Sequence, residues 1–98
     1  MSTVTVKAAL ADAKNKALAI YRDACEAEDV AYYAFRKLDK ATIRLEKRPN
    51  TRAKTLANKL AQRSAALAEY NRLSKERATA YHTLDFIQDA EQAAEFGS

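Results

Sequence analysis

The chain has 98 residues, so it is one domain at most, and a formal net charge of +4. Its apolar share of 48% is ordinary, but much of it is alanine, which buries little area. One cysteine, Cys25, rules out an internal disulfide framework and any cysteine-based metal site. There is no apolar run of about 18 residues and no basic-then-apolar leader, so neither a membrane span nor a signal peptide is expected, and a cytoplasmic, reducing setting fits.

The first element expected is a helix over about residues 5–46. This stretch lacks Gly and Pro and is rich in Ala, Leu, Lys, Arg and Glu. Positions 6, 10, 13, 17, 20, 24, 27, 31, 34, 38, 41 and 45 step by four and three, and every one is apolar, seven of them alanine. That is the pattern of a helix–helix seam that a partner could approach closely. A second apolar set, Leu18, Tyr21, Cys25, Tyr32, Phe35 and Thr42, lies beside the first. One neighbouring helix does not cover both sets, so a further helix is expected, from this chain or from a second copy.

The turn falls at residues 47–51. Pro49, the only proline, pushes Arg48 out of the helical region, and Asn50 or Thr51 then stands as N-cap of the next helix. A second helix is expected over about residues 52–94. Its large apolar residues are Leu56, Leu60, Leu67, Tyr70, Leu73, Tyr81, Leu84 and Ile87. The eleven-residue spacings Tyr70 to Tyr81 and Leu73 to Leu84 suit a straighter helix than a strict heptad. Residues 1–94 thus form a single all-α domain, a long antiparallel helical hairpin. The closing Glu95-Phe96-Gly97-Ser98 reads like a translated cloning junction and carries no functional weight. A bare hairpin has little core per residue, and a homodimer forming a four-helix bundle is the simplest remedy. The alternative is an intrachain three-helix bundle, broken near residues 71–74 or 28–29.

The charge is unevenly placed. Residues 36–63 hold ten basic side chains against two acidic ones, Asp39 and Glu46, a local net charge of +8. In a hairpin this block lies at the closed end. Arg36, Lys40, Arg44 and Arg48 recur every four residues, with Lys47 beside them, and Arg52, Lys59 and Arg63 form a matching row on the second helix. A merely solvated face normally mixes charge signs. Here Arg52 and Lys54 also oppose the positive dipole end of the second helix, while Asp89, Glu91 and Glu95 sit at its negative end. Helix stability alone would place these charges the other way round.

The basic block points to an acidic partner. No aromatic ring occurs between residues 36 and 63, which argues against stacking on single-stranded bases. No helix-turn-helix, zinc-finger or basic-zipper pattern occurs either, so duplex nucleic acid would be held only through its phosphates. An acidic protein surface fits equally well, as does the acidic end of a second copy. Tyr33 is the better surface anchor, whereas Tyr32 and Phe35 continue the second apolar set and read as core.

His82 has no companion ligand, and Cys25 reads as a small buried residue. Asp23, Glu26, Glu28 and Asp29 have no base, nucleophile or oxygen-rich loop beside them and read as a solvated face. Two helices, one short turn and a single terminal glycine offer no cradle for catalysis or for a cofactor. The expectation is a non-enzymatic interaction module, an adaptor or inhibitor in the style of a phage accessory protein. Such a module would dock on a larger acidic partner through the basic block. A phosphate-binding nucleic-acid protein and a structural coiled-coil component are the alternatives.

Overall fold

The computed structural model describes residues 3–96, which form an all-α helical hairpin. Helix α1 runs Thr3–Lys47 and helix α2 runs Ala53–Phe96. Both are free of Gly and Pro and are built from strong helix formers. Neither helix is interrupted at residues 28–29 or 71–74, so the three-helix alternative is set aside. Polar residues there change which face is wet, but nothing in them removes a helical hydrogen bond. Gly97 and Ser98 lie outside the described residues.

The turn differs from expectation in its capping. Pro49 and Asn50 make the bend. The carbonyl of Leu45 accepts both the backbone N–H of Arg48, at 3.2 Å, and the hydroxyl of Thr51, at 2.7 Å. Thr51 therefore caps the C-terminus of α1 rather than the start of α2. The first intrahelical bond of α2 runs from the N–H of Leu56 to the carbonyl of Arg52, at 3.1 Å, which makes Arg52 the N-cap. Arginine has no side-chain acceptor to offer there. No described residue, Asn50 included, is in the left-handed region.

The chain divides into two compact units. One is Glu26–Ser74, and the other joins the chain up to Cys25 with the chain from Lys75 onward. In Glu26–Ser74 the positions withdrawn from solvent on α1 include Glu28, Ala31, Phe35, Leu38, Thr42 and Leu45, and on α2 Leu56, Lys59, Arg63, Ala66, Tyr70 and Leu73, with Ala27, Asp39, Ala41 and Ser74 half-buried beside them. Both sets step by three and four, a heptad spacing. The rings of Tyr32 and Tyr70 meet at 5.6 Å between centroids, and Arg63 reaches Asp39 at 3.2 Å. Seven residues forward on α1 thus match seven residues back on α2, as antiparallel packing requires. Thr42 is fully buried, and its hydroxyl donates to the carbonyl of Leu38 at 2.8 Å, so no polar atom is orphaned there.

In the other unit the withdrawn positions include Leu10, Lys14, Ala17, Tyr21 and Ala24 on α1, joined by Arg77, Ala80, Leu84, Ile87, Glu91 and Ala94 on α2, with Ala13, Leu18, Cys25, Ala78 and Ala90 half-buried beside them. Tyr21 and Tyr81 pack ring to ring at 5.8 Å, and Lys14 pairs with Glu91 at 2.9 Å. Ala17, Ala80 and Leu84 are buried here, and Ala31 is buried in Glu26–Ser74. Leu84 is the one large apolar side chain among these.

The buried face of α1 differs in part from the twelve-position seam read from the sequence. Nine of the twelve, Leu10, Ala13, Ala17, Ala24, Ala27, Ala31, Leu38, Ala41 and Leu45, are withdrawn from solvent, and Val6, Ile20 and Ala34 are not. Tyr21, Phe35 and Thr42 of the second apolar set are withdrawn beside them. Ile20 is left 63% exposed. The second apolar set contains the larger rings, and burying them withdraws more area than burying alanines does. On α2, Tyr81, Leu60 and Leu67 lie off the buried row, so of the two eleven-residue spacings Leu73 to Leu84 stays on that row and Tyr70 to Tyr81 leaves it. Tyr32, read as core, keeps 37% of its surface exposed despite its contact with Tyr70.

Candidate functional site

The candidate side chains read from the sequence fall into three groups. Arg63 is the most committed: it sits half-buried in the row facing α1 and is ion-paired with Asp39. That contact uses one of the only two carboxylates in the block, and Glu46, exposed on α1, is the other. Arg36 is held by its own helix. Its guanidinium donates to the Tyr32 hydroxyl at 3.1 Å and lies 5.8 Å from that ring's centroid, an i,i+4 pairing that fixes its direction.

The second group surrounds the turn. Arg44, Arg48 and Lys59 line a shallow groove of about 220 Å³ together with Ala41 and Leu45. A second groove of about 420 Å³ is lined by Leu45, Arg48, Pro49, Asn50, Thr51, Arg52 and Thr55. Leu45 and Arg48 belong to both linings, so the grooves adjoin. Neither lining contains a carboxylate. Four cations from three segments (the last turns of α1, the turn itself and the first turns of α2) therefore converge around an apolar floor. The Arg48–Thr51 bend and the Thr51–Leu45 hydrogen bond hold the two helix ends in that arrangement.

Lys40, Lys47 and Tyr33 form the third group, exposed on α1 and outside both linings. Tyr33 is 71% exposed, as expected of it, and its ring lies edge-on to Tyr32 at 5.8 Å. The four-residue spacing from Arg36 to Arg48 does not make a single row. A helix turns by 3.6 residues, so each step of four drifts around the axis, and only Arg44 and Arg48 reach the groove.

Elsewhere, Cys25 is half-buried rather than fully buried and is bonded to the Tyr21 hydroxyl. That bond, opposed in part by Arg77, raises the Tyr21 hydroxyl above its ordinary range. His82 is exposed, with its ring against Tyr81. Glu69 is clasped by Arg72 in a two-pronged contact, with Nε donating at 3.1 Å, and this holds its carboxyl below the usual carboxylate range. Among the described residues no three His, Cys, Asp or Glu side chains are grouped to hold a metal ion, and no helix is long and apolar enough to cross a membrane. No family model, curated protein or solved structure matches this chain.

Proposed function

We propose that the chain is a non-enzymatic interaction module, an adaptor or inhibitor, that docks its basic turn on an acidic protein surface. The observation that carries this reading is the convergence of Arg44, Arg48, Arg52 and Lys59 around grooves that contain no carboxylate. A charge cluster serving solubility alone would be interleaved with acids, whereas of the block's two carboxylates Asp39 is spent on Arg63 and Glu46 lines neither groove. Long-range attraction would steer the encounter, and the apolar floor at Leu45 and Pro49 gives a desolvated patch for a partner side chain. Two copies make up the working unit, since so few apolar side chains are buried within one chain.

The test is partner capture from the protein's native setting, comparing the parent with Arg44→Glu/Arg48→Glu/Arg52→Glu. The three substitutions lie on exposed side chains, and helicity by circular dichroism should be unchanged. An acidic protein retained by the parent and lost by the variant supports the reading. Identical partners for both would reduce the cluster to solvated surface. Random duplex DNA bound by the parent at about 50 mM salt, with a steep loss as salt rises, would replace the acidic protein by phosphate.

A further inference from the structure

Lys40, Lys47 and Tyr33 belong to one continuous face of α1. Tyr33, Lys37, Lys40, Arg44 and Lys47 step by four and three along the helix, and all five are exposed. At about 100° per residue they fall within an arc of about 80°, whose centre is half a turn from the fully buried Thr42. The row is therefore the outer face of α1, and it lies wholly within the unit Glu26–Ser74. Among the described residues none of its four cations is in an ion pair. Asp39 and Glu46 stand roughly a third of a turn or more from the centre of the face.

The face is segmented by sign. Its first turns carry Glu26 and Asp29, its middle carries Val30 and Tyr33, and its last turns carry only cations. Solubility alone would interleave the signs and gain i,i+4 pairs. Here the residue four places after Glu26 is Val30, and the one four places after Asp29 is Tyr33. Helix stability does not explain the middle either. Val30 is 65% exposed and Tyr33 71%, yet valine and tyrosine form helices less readily than alanine. Tyr33 is also propped from within its own unit. Its ring lies edge-on to Tyr32 at 5.8 Å, and Tyr32 meets Tyr70 of α2 at 5.6 Å. An exposed tyrosine already held in place loses little freedom when a partner covers it.

The order of signs selects the partner. A nucleic-acid backbone is a uniform polyanion. It matches the cations over about 15 Å, from Lys37 to Lys47, and meets repulsion from Glu26 and Asp29 if it continues along α1. A helix laid along α1 is complementary over the whole face, because its own row of three-and-four spacing meets the heptad-spaced row of α1. Its carboxylates oppose the four cations, an apolar side chain packs on Val30 and Tyr33, and a cation opposes Glu26 and Asp29. The face from Glu26 to Lys47 is about 32 Å long, which is the length of a helix of about 20 residues. A helix that carries its acids first and its base last is favoured by its own dipole. That order sets it antiparallel to α1.

We propose that the partner's docking element is an acidic amphipathic α-helix, seated antiparallel along the outer face of α1 from Glu26 to Lys47, with Tyr33 as the apolar anchor. This rests on the reading that an acidic protein engages the basic turn, and it names the part of that protein which does so. Arg44 joins the two surfaces, since it is exposed on this face and also lines the smaller groove.

The test uses the intact chain and synthetic helical peptides of about three heptads. The first peptide carries glutamate at the facing positions of its first two heptads, then leucine, then lysine. The second has the same composition scrambled, and the third has the order reversed. Binding is read by fluorescence anisotropy at about 50 mM salt. The first peptide should bind roughly tenfold more tightly than the scrambled one, and more tightly than the reversed one. Lys37→Glu/Lys40→Glu/Lys47→Glu should weaken it roughly tenfold, with circular dichroism unchanged. Val30→Ala/Tyr33→Ala should weaken it about fivefold while helicity stays equal or rises, whereas a purely structural role for the pair would lower helicity and spare binding. Equal binding of the scrambled peptide overturns the helical element. Tighter binding of the reversed peptide overturns the antiparallel direction alone. A random DNA duplex bound more tightly than the first peptide, through the same lysines, puts phosphate in place of the helix. The docking of the turn fails separately. An acidic protein captured from the native setting, lost from Arg48→Glu/Arg52→Glu and kept by the triple lysine variant, overturns the outer face and leaves the turn standing. The opposite pattern removes the grooves and keeps the helix face.

Discussion

Arg52→Asp should stabilise the fold and weaken its function at the same time. Arg52 is the N-cap of α2, because its carbonyl accepts the first intrahelical bond, from Leu56. The hydroxyl of Thr51 is turned back to Leu45, so no neighbouring side chain caps the first N–H groups of α2. An aspartate at this position supplies the missing acceptor, worth about 1 kcal/mol. Exchanging a positive for a negative charge at the positive end of the dipole adds about 0.3 kcal/mol for each charge changed. The sum is roughly 1.5 kcal/mol, which for a domain of this length raises the thermal midpoint by about 6–12 °C. The assay is thermal melting by circular dichroism at one fixed protein concentration, which keeps any association equal across the variants. Arg52→Ala is the control, and should give only the smaller dipole share. Salt should erode the dipole share and spare the cap. A midpoint that is unchanged or lower for the aspartate variant would refute the capping account. A more stable variant that keeps full partner retention would remove Arg52 from the docking surface.

Two further outcomes follow from the packing. Leu84→Ala removes the one large buried apolar side chain named above and should cost about 2–3 kcal/mol by urea denaturation, whereas Phe86→Ala, at a position 75% exposed, should stay within about 0.5 kcal/mol. Equal effects of the two would mean that the buried row is misplaced. Tyr21 should ionise above the ordinary tyrosine range because of its bond to Cys25, and Cys25→Ala should bring it back down, read as the difference in ultraviolet titration against Tyr21→Phe. A hydroxyl held up in the folded state favours folding while it stays protonated. Its contribution is therefore present below the ordinary tyrosine value and is lost as pH rises through the raised one. A Tyr21 that titrates in the ordinary range in both proteins would count against the contact.

Much of the fold was legible because helix formers and breakers act locally. The absence of Gly and Pro up to Arg48, and Pro49 itself, were enough to place two helices and one turn. What stayed hidden was the choice between overlapping faces. Two apolar sets lay side by side on α1, and the ring contacts of Tyr32 with Tyr70 and of Tyr21 with Tyr81 drew the second set in beside a seam that gave up only Val6, Ile20 and Ala34. The capping of the turn was hidden for a related reason. Thr51 had two helix ends within reach, and local pattern carries no information about which one its hydroxyl serves. The basic cluster was visible as composition. Which four of its members line the two adjoining grooves depended on the helical drift that a four-residue spacing conceals.

The cross-helix contacts also differ in how much chain they enclose. Asp39 and Arg63 are separated by 24 residues, while Lys14 and Glu91 are separated by 77. Closing a longer loop costs more entropy, and the increment is recovered step by step once the inner contacts exist. Zipping therefore starts beside Pro49 and runs outward, and fraying runs inward from the chain ends. The grooves that gather Arg44, Arg48, Arg52 and Lys59 belong to the part of the molecule that forms first and opens last. Heat, dilution or a nicking protease would take the outer turns while the cationic end was still assembled. A receptor engaged there would hold a fragment almost as well as the whole chain.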